Sequence, residues 1–532
     1  MLSEKYKGFL NWVIYQIYPR SFKDTNGDGI GDLCGIIEKL DYLCELGINA
    51  IWICPCYKSP NVDNGYDISD YFDIMDDFGT MDDMKNLINE AHTRGIKVIM
   101  DLVPNHTSAE HKWFKESKKS KDNPYSDYYY WFDEPQNDWK NIFDGDSWEY
   151  CEERGQYYFH HYDKTMPDLN WTNTKVREEI NNIVDFWSNL GVDGFRCDVI
   201  HEISKDFKNG IMSMGPHIHE YINGIFGRPE TKHLFTVGEC WVWNEKSFLN
   251  LTKEERNELS TMFQFAHICF GREGKYIPKA QSLTALRDIL YKWQSFACEN
   301  DLLYTLFTDN HDQAPFISRA GDVSKYRYEI ATCVAAMLYT LRGMPFIYQG
   351  QEFGTISPNY SSIDDFRDYE SLNFYKLNKD EIGEEEAIKR INFGGRDNAR
   401  RPVAWDSSEF CGFSETMPWI PLNSHYKNIN LANDRNSDKS VFEFYKALLR
   451  MRKDSNAIIQ GSFKALSTNE DTFSLVEREF EGEKILICCN FEEENNIKIP
   501  YSNLELILSN SKSRIDANSN YKPYEVAIYK VV

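Results

Sequence analysis

The chain has 532 residues, of which 42% are hydrophobic and 15% aromatic, and its formal net charge is −24. This length leaves room for one or two domains beyond a first one. The negative charge disfavours binding to nucleic acid or to an anionic membrane, because both require a basic protein face.

The N-terminal residues, MLSEKYKGFLNW, lack the apolar stretch of a signal peptide. No run of the sequence approaches the roughly 20 apolar residues that a membrane-spanning helix needs. We therefore expect a cytoplasmic protein. The thirteen cysteines are an odd number scattered along the chain, and we interpret them as reduced thiols rather than a disulfide framework.

Eight short apolar runs rich in β-branched residues are predicted as strands buried on both faces. In chain order they are 13–18, 48–53, 97–103, 192–199, 234–241, 262–270, 303–307 and 344–350. Helical patterns that end at glycine lie between most of them, for example at 35–47, 82–95 and 176–191. Strand and helix alternating eight times predict the α/β fold class, as a closed (β/α)8 TIM barrel.

The connection between the third and fourth runs is far longer than an ordinary barrel connection. We therefore predict an inserted subdomain at 104–173 after strand 3, with the barrel formed by 1–103 and 174–455. Residues 355–440 form a second irregular excursion. Beyond about residue 460 short strands alternate with turn residues, which predicts a C-terminal all-β domain of the sandwich type over 456–532.

Four carboxylates lie at or just past the carboxyl ends of these apolar runs, where the active site of such a barrel lies: Asp101, Asp198, Glu239 and Asp312. Arg196 is two residues before Asp198, so their side chains share a strand face and the arginine should keep Asp198 ionised. Glu239 has apolar neighbours, a setting that suits a general acid. Two carboxyl groups in opposed environments are the parts of a glycosidase, although each alone could be a structural ion-pair partner.

A second motif is DTNGDGIGDL at 24–33, where Asp24, Asn26 and Asp28 alternate as in an oxygen-ligand calcium loop. It is not an EF-hand, because position twelve is Gly35 rather than glutamate. An ion here would need the Ile30 carbonyl, Asp32 and water to complete its ligands. An acidic turn without metal is the alternative.

With these residues in view, the chain resembles the α-amylase superfamily of retaining glycoside hydrolases, family 13, in its oligo-1,6-glucosidase and α-glucosidase branch. The resemblance covers almost the whole length. The segments that carry it are WVIYQIYPRSFKDTNGDGIGDL, DNGYDISDY, DLVPNHTS, GFRCDVI, VGECW, FTDNHDQ and RDNAR at 396–400. Each is moderately specific, and their order and spacing together are highly specific.

The resemblance implies that Asp198 is the nucleophile, Glu239 the acid/base and Asp312 the carboxylate that stabilises the transition state, while Asp101 supports the site. It implies a structural Ca²⁺ or Mg²⁺ in the loop of Asp24, Asn26, Asp28, Ile30 and Asp32. The residues that it assigns to the pocket for the non-reducing glucosyl unit are Asp63, Tyr66, His106, Phe143, Arg196, His311 and Arg400. Val199, directly after the nucleophile, goes with α-1,6 cleavage in this branch, whereas threonine goes with α-1,4.

Two segments depart from the branch's usual pattern. One is MPDLNW at 166–171, which more often begins with glutamine. The other is RRPVAWD at 400–406, where threonine is common in place of Arg401. Arg401 is either a contact to the leaving part of the substrate or a surface charge.

The resemblance therefore implies an exo-acting α-glucosidase that releases glucose from the non-reducing end of short oligosaccharides, with α-1,6 linkages favoured. It implies no organic cofactor, no nucleic-acid or membrane partner, and a monomer or small homo-oligomer. An α-1,4-glucosidase (maltase), a trehalose-6-phosphate hydrolase and a sucrose-acting transglucosylase are the enzyme alternatives. An inactive homologue that serves a transporter should have lost the carboxylates and gained a membrane anchor, and the sequence shows neither change.

Overall fold

The computed structural model describes residues 6–143, 145–242, 244–512, 514 and 517–532. The chain divides into two compact units. The first unit comprises Met1–Gly31, Glu38–Ala50 and Gln264–Val532, and the second comprises Asp32–Ile37 and Ile51–Phe263. The predicted domain borders at 104, 174 and 456 do not coincide with this division and stay a prediction.

Eight parallel strands form the (β/α)8 barrel that the sequence predicts. They are β1 (Ile14–Ile17), β2 (Ala50–Ile53), β3 (Lys97–Leu102), β4 (Gly194–Cys197), β5 (Phe235–Gly238), β6 (Thr261–Met262), β7 (Thr305–Leu306) and β8 (Met344–Tyr348). In the first unit β8 lies between β1 and β7, and in the second unit β2 to β6 are neighbours in chain order. The strands are buried along almost their whole length, as their continuous apolar runs predict.

The register of β3, β4 and β5 determines which side chains meet at the strand ends. Asp101 lies opposite Arg196, and Arg196 lies opposite Val237 on β5. At Gly194 the two backbones approach so closely that an added Cβ would lie 2.3 Å from the carbonyl oxygen of Phe235. Only glycine fits there, so this position helps to fix the pairing that aligns the strand ends.

Two predicted strands are wrong in extent. The run 262–270 contains only the end of β6, since Ala266–Cys269 is a 3₁₀ helix. Its apolar side chains are mostly buried, and a buried turn gives the same composition as a buried strand. The run 192–199 leaves the strand conformation after Cys197. Val199, which was expected on β4, therefore lies beyond the end of this strand.

Fourteen α-helices occur in the described part of the chain. They are Leu33–Glu38, Leu40–Leu46, Met81–Thr93, Lys112–Ser117, Thr174–Asn189, Ile218–Phe226, Glu245–Thr252, Leu283–Glu299, Val323–Tyr339, Tyr369–Ile382, Glu384–Gly394, Leu431–Arg435, Val441–Lys453 and Asn456–Gln460. The single helix predicted at 35–47 is two helices, because Lys39 has non-helical backbone angles. The helix predicted at 82–95 begins after a capping box formed by Thr80 and Asp83.

Short 3₁₀ helices and two-stranded sheets connect these elements. The 3₁₀ helices include Pro19–Ser21, Asp76–Phe78, Ile200–Glu202, Phe207–Asn209, Glu254–Arg256, Ala266–Cys269, Phe316–Arg319, Gln351–Phe353, Ile363–Asp365 and Arg396–Asn398. The two-stranded sheets pair Tyr57–Lys58 with Asp70–Ile74, Arg272–Gly274 with Ile277–Pro278, and Asn495–Asn496 with Asn520–Tyr521.

The segment predicted as an insertion contains a small antiparallel sheet of Trp131–Phe132, Trp148–Cys151 and Gln156–Phe159, with the last strand in the middle. The C-terminal region forms the predicted all-β structure, as a five-stranded antiparallel sheet together with the two-stranded sheet of Asn495–Asn496 and Asn520–Tyr521. The strands of the five-stranded sheet are β9 (Ser462–Ala465), β10 (Phe473–Phe480), β11 (Glu483–Asn490), β12 (Leu504–Ser509) and β13 (Val526–Val531), in the order β9-β10-β11-β13-β12.

All thirteen cysteines carry free thiols, in agreement with the sequence. Among the described helices, none combines the length and the apolar character required to cross a membrane.

Candidate active site

In the second unit, the guanidinium of Arg196 binds three carboxylates at the ends of β3, β4 and β5. Its Nη1 atom donates to Asp101 Oδ1 at 2.5 Å and to Asp198 Oδ1 at 2.7 Å. Its Nη2 atom donates to Glu239 Oε2 at 2.6 Å. All four side chains are less than a tenth exposed. Three of the four strand-end carboxylates therefore share one buried cation.

Further donors fix the positions of these carboxylates. Trp52 Nε1 donates to Asp101 Oδ2 at 2.7 Å, and Trp241 Nε1 donates to Glu239 Oε1 at 3.0 Å. The backbone N–H of Val199 is 3.3 Å from Glu239 Oε2. Asp101 and Glu239 thus each have their orientation set by more than one group, as a preorganised catalytic site requires.

Burial raises the pKa of Asp101 to about 6, although Arg196 and the Trp52 indole act in the opposite direction. Burial also raises the pKa of Asp198 well above its usual range, with Arg196 opposing and Glu239 and Asp101 adding to the increase. Arg196 is thus the one cation that these three buried carboxylates bind in common, and for Asp101 and Asp198 burial outweighs it.

This arrangement corrects two expectations from the sequence. Arg196 was expected to lower the pKa of Asp198, and it acts in that direction, but burial and the two neighbouring carboxylates raise this pKa on balance. Asp198 and Glu239 were expected to have opposed environments, but both bind Arg196. The reason is that β4 and β5 are neighbours in register, so a long side chain on β4 reaches the end of β5.

Val199 has φ 34° and ψ 38°, which is the left-handed region of the backbone. A β-branched residue is rarely found there, and such strain clusters at functional sites. The side chain is 5% exposed. The turn directs the Val199 N–H toward Glu239, so the strained residue links the candidate nucleophile to the candidate acid/base.

In the first unit, Asp312 forms a separate group with His311 and Arg400. Arg400 Nη2 donates to Asp312 Oδ1 at 2.9 Å, and His311 Nε2 is 3.1 Å from Asp312 Oδ2. Gln16 Nε2 is 2.8 Å from His311 Nδ1, which places the proton of a neutral His311 on Nε2. Burial favours the protonated acid, but His311 and Arg400 together hold the pKa of Asp312 below its usual range.

The other predicted pocket residues of the second unit are Tyr66, which contacts Arg196, and Asp63, His106 and Phe143. Arg196 Nη1 is 3.3 Å from the Tyr66 hydroxyl, and Asp63 accepts the Tyr66 N–H through its backbone carbonyl. His106 is 1% exposed, and its Nε2 atom has no hydrogen-bond partner in the described protein. Phe143 is half-buried in the loop before the strand Trp148–Cys151.

The sequence did not reveal the buried ammonium of Lys205, which lies next to Asn105 and Asp168. Lys205 Nζ is 2.8 Å from Asp168 Oδ2 and 2.7 Å from Asn105 Oδ1, and it donates to the Glu202 carbonyl oxygen at 2.6 Å. Trp52 and Trp241 were also missed as hydrogen-bond donors. A lysine in a polar segment, or a tryptophan in an apolar one, carries no signal of such partners.

The predicted metal loop is a tight turn in which carboxylates accept backbone N–H groups. Asp24 accepts from Asn26 and Gly27 through Oδ1, and from Gly29 through Oδ2. Asp28 Oδ1 accepts the Ile30 N–H at 2.8 Å. In the second unit, Asp32 accepts the Gly35 N–H at 2.7 Å. No group of three His, Cys, Asp or Glu side chains suited to a metal occurs in the described residues.

Comparison with known proteins places these groups in context. Residues 16–461 match the family model described as the α-amylase catalytic domain. The chain is 43% identical to an oligo-1,6-glucosidase of Parageobacillus thermoglucosidasius, with 98% of each chain covered.

Two solved structures share the fold over almost their whole length. A trehalose-6-phosphate hydrolase of Bacillus licheniformis has a TM-score of 0.91 and 39% identity, with coverage of 98% of this chain and 99% of that one. The trehalulose synthase of Pseudomonas mesoacidophila MX-45 has a TM-score of 0.92 and 35% identity, with 99% of each chain covered. The chain therefore belongs to the α-amylase family and is a glycoside hydrolase.

Proposed function

We propose that this protein is a retaining exo-acting α-glucosidase that releases glucose from the non-reducing end of short α-glucosides, with α-1,6 linkages favoured. The observation that carries the proposal is the pair Asp198 and Glu239, which are held on one arginine at adjacent strand ends. A member of the α-amylase family with this pair has the two carboxyl groups that glycoside cleavage requires.

In the first half of the proposed reaction, Asp198 attacks the anomeric carbon and forms a glycosyl ester, while the glycosidic C–O bond breaks. The leaving oxygen takes a proton from Glu239. In the second half, Glu239 removes a proton from water, whose oxygen attacks the anomeric carbon and releases Asp198.

The surrounding residues would bind and orient the glucosyl unit. Asp312, held ionised by Arg400 and His311, suits the stabilisation of positive charge that develops on the sugar. The unpaired Nε2 of buried His106 suits a bond to a sugar hydroxyl. We propose Asp63, Tyr66 and Phe143 as further contacts of this unit, and Asp101 as a support for Arg196.

A substrate panel tests the proposal. Purified protein is incubated with isomaltose, maltose, sucrose, trehalose 6-phosphate and panose, and released glucose is measured. We expect the highest kcat/KM on isomaltose. Preference for maltose, trehalose 6-phosphate or sucrose would favour the maltase, the trehalose-6-phosphate hydrolase or the sucrose-acting transglucosylase, respectively.

The stereochemistry of the product tests the two-step reaction. Two displacements at one carbon retain its configuration, so the first-formed sugar should be α-glucose. Proton NMR within the first minutes of reaction distinguishes the anomers before they equilibrate. Early appearance of β-glucose would exclude a glycosyl ester on Asp198.

The linkage preference is expected to depend on Val199. Val199→Thr keeps the β-branched shape in the strained turn and adds one hydroxyl, so it changes polarity rather than volume. Such a change is worth about 1–3 kcal/mol between competing substrates. We expect the ratio of kcat/KM for isomaltose over maltose to fall by about 5- to 150-fold in the variant. An unchanged ratio would show that linkage preference lies elsewhere.

We also propose that the loop of Asp24, Asn26, Asp28 and Ile30, together with Asp32, holds a structural Ca²⁺ or Mg²⁺. The support is chemical, because carboxylate, amide and carbonyl oxygens are the ligands that these hard cations prefer. The Asp24 carboxylate faces several N–H groups, so the loop already gathers its backbone around this oxygen donor. The ion would crosslink the turn and take no part in the reaction.

Chelation tests the ion. A cation that binds only the folded state stabilises it by mass action, so EDTA should lower the Tm and added Ca²⁺ should restore it. Asp28→Asn should reduce the response to EDTA, and elemental analysis should find about one ion per chain. An identical Tm with and without EDTA, together with no bound metal, would favour the metal-free acidic turn.

The remaining features of the proposal concern location and assembly. We propose a cytoplasmic protein that acts as a monomer or small homo-oligomer on oligosaccharides and has no nucleic-acid or membrane partner. The net charge of −24 supports the last point. Size-exclusion chromatography with light scattering would determine the oligomeric state.

A further inference from the structure

Arg401, for which the sequence left open a substrate contact or a surface charge, is not a surface charge. It is 5% exposed and belongs to the first unit. Its guanidinium lies 4.4 Å from the centre of the Tyr360 ring and 5.4 Å from that of Phe366. Its Nη1 atom donates to the carbonyl oxygens of Asp365 and Pro421 at 2.9 and 3.1 Å. Both N–H groups of Nη1 thus have a hydrogen-bond acceptor.

The opposite edge of the same guanidinium is not used. Arg401 Nε and Nη2 are buried and have no hydrogen-bond partner within the described protein. In the described residues no carboxylate lies within 4.0 Å of Arg401, although Asp397 and Asp365 act on it from farther away. A buried charge whose donors stay unpaired is costly, so this edge calls for an acceptor that carries negative charge.

Arg401 lines a cavity of about 40 Å³ that is confined to the first unit. By volume, such a cavity holds about three water molecules or one small ion. Three other lining residues carry buried polar atoms that have no hydrogen-bond partner among the described residues: Gln313 Oε1, Gln349 Nε2 and Asn398 Oδ1. These four side chains, each more than nine-tenths buried, line the same cavity and carry the atoms that have no partner among the described residues.

The chemical character of two of these atoms is fixed by their other bonds. Gln349 Oε1 accepts the Tyr18 N–H at 2.8 Å, so its amide nitrogen is the free end and offers a donor. Asn398 Nδ2 donates to the carbonyl oxygens of Ile391 and Asn392 at 2.9 Å, so its oxygen is the free end and offers an acceptor. Gln313 has no such anchor and can present either atom. The cavity thus offers three donors and one acceptor.

We propose that this cavity is a binding site for a small planar oxyanion with one hydroxyl group, of which bicarbonate is the simplest. Nε and Nη2 lie on one edge of the guanidinium plane, with the spacing that binds two oxygens of a planar oxyanion in bidentate fashion. The hydroxyl group would donate to Asn398 Oδ1, and an oxygen would accept from Gln349 Nε2. A spherical halide could not satisfy the acceptor.

One lining carboxylate could oppose an anion, namely Asp309. Its oxygens already accept the Phe316 N–H at 2.7 Å and the Thr308 hydroxyl at 2.6 Å. Burial raises the pKa of Asp309, which weakens its repulsion of a bound anion.

The site also has a defined neighbour, because Asn398 and Arg401 flank Arg400 in the sequence, and Arg400 binds Asp312. An occupant would hold the backbone segment that carries Arg400.

Thermal unfolding tests the site without reference to catalysis. Wild-type protein is titrated with sodium bicarbonate at pH 8 in a chelator-free buffer, against sodium chloride at equal ionic strength. We expect a saturable rise in Tm of about 1–3 °C with bicarbonate only. A rise of equal size with chloride, or no rise with either salt, would overturn the proposal.

Variants and a crystal structure locate the effect. Arg401→Gln should abolish the bicarbonate response, whereas Arg450→Gln, which alters a side chain that is 86% exposed, should retain it. A response that persists in Arg401→Gln would overturn the assignment. If that variant does not fold, a crystal structure of the wild-type protein equilibrated in bicarbonate tests whether the cavity binds the anion. Planar density against the Nε–Nη2 edge supports the site, and water alone in the cavity overturns it.

Discussion

Replacing Asp198 by asparagine is expected to lower kcat on an aryl α-glucoside by a factor of about 10⁴ or more. The amide is close to the carboxylate in size, so it can remain against Arg196, but it cannot form the glycosyl ester. The loss should therefore appear in kcat while the Tm changes little. Retention of more than a few per cent of wild-type activity would show that Asp198 is not the nucleophile.

Asp185→Asn is a matched control for this variant. Asp185 forms a partly exposed ion pair with Arg228 in the same unit, at 2.8 Å. The substitution makes the same chemical change away from the strand ends, and such pairs contribute little to stability. We expect wild-type kcat for Asp185→Asn, so the comparison separates the loss of a nucleophile from the loss of a charge.

Azide separates the role of Asp198 from that of Glu239. In Asp198→Gly a small anion can occupy the space of the missing carboxylate and attack the anomeric carbon from that side. The product should be β-glucosyl azide, because only one displacement occurs. In Glu239→Gly, by contrast, azide should intercept the intact glycosyl ester and give the α-azide. Reversal of the two products would exchange the assignments.

The positions of the strand-end carboxylates could be predicted because they depend on local sequence. Each follows a buried run, and the carboxyl ends of parallel strands meet on one face of a barrel. This reasoning placed Asp101, Asp198 and Glu239 correctly at the ends of β3, β4 and β5. It also paired Arg196 with Asp198, since residues two apart on a strand share a face.

Contacts that depend on register between distant segments could not be predicted in this way. Arg196 binds Glu239 because β4 and β5 pair with Arg196 opposite Val237, and no local pattern specifies that alignment. The burial of Arg401 has the same origin, since Tyr360 and Phe366 come from another part of the chain. Val199 was predicted on a strand because an apolar run does not reveal where the backbone turns.

Arg196→Gln should destabilise the protein by about 3–5 kcal/mol at pH 7, because it removes the cation from three buried carboxylates. Activity should also fall by orders of magnitude, since Asp198 and Glu239 lose the group that holds both. Arg228→Gln is the control, because it removes an arginine that binds one partly exposed carboxylate. Its cost should be below about 1 kcal/mol.

The pH dependence of the Arg196→Gln defect distinguishes an electrostatic cause from lost packing. Burial raises the pKa of Asp101 in the folded protein from 3.8 to about 6, even with Arg196 opposing it. A carboxyl group with a raised pKa contributes stability that is complete below its unfolded pKa and is lost as pH rises through its folded pKa. Without Arg196 the pKa of Asp101 in the folded protein rises further, so more stability is lost as the pH rises. The difference in unfolding free energy between variant and wild type should therefore be smallest near pH 4 and grow toward pH 7, as urea unfolding at intermediate pH values can measure. A defect of equal size at all pH values would mean that Arg196 acts through packing against Trp52 and Tyr66 rather than through its charge.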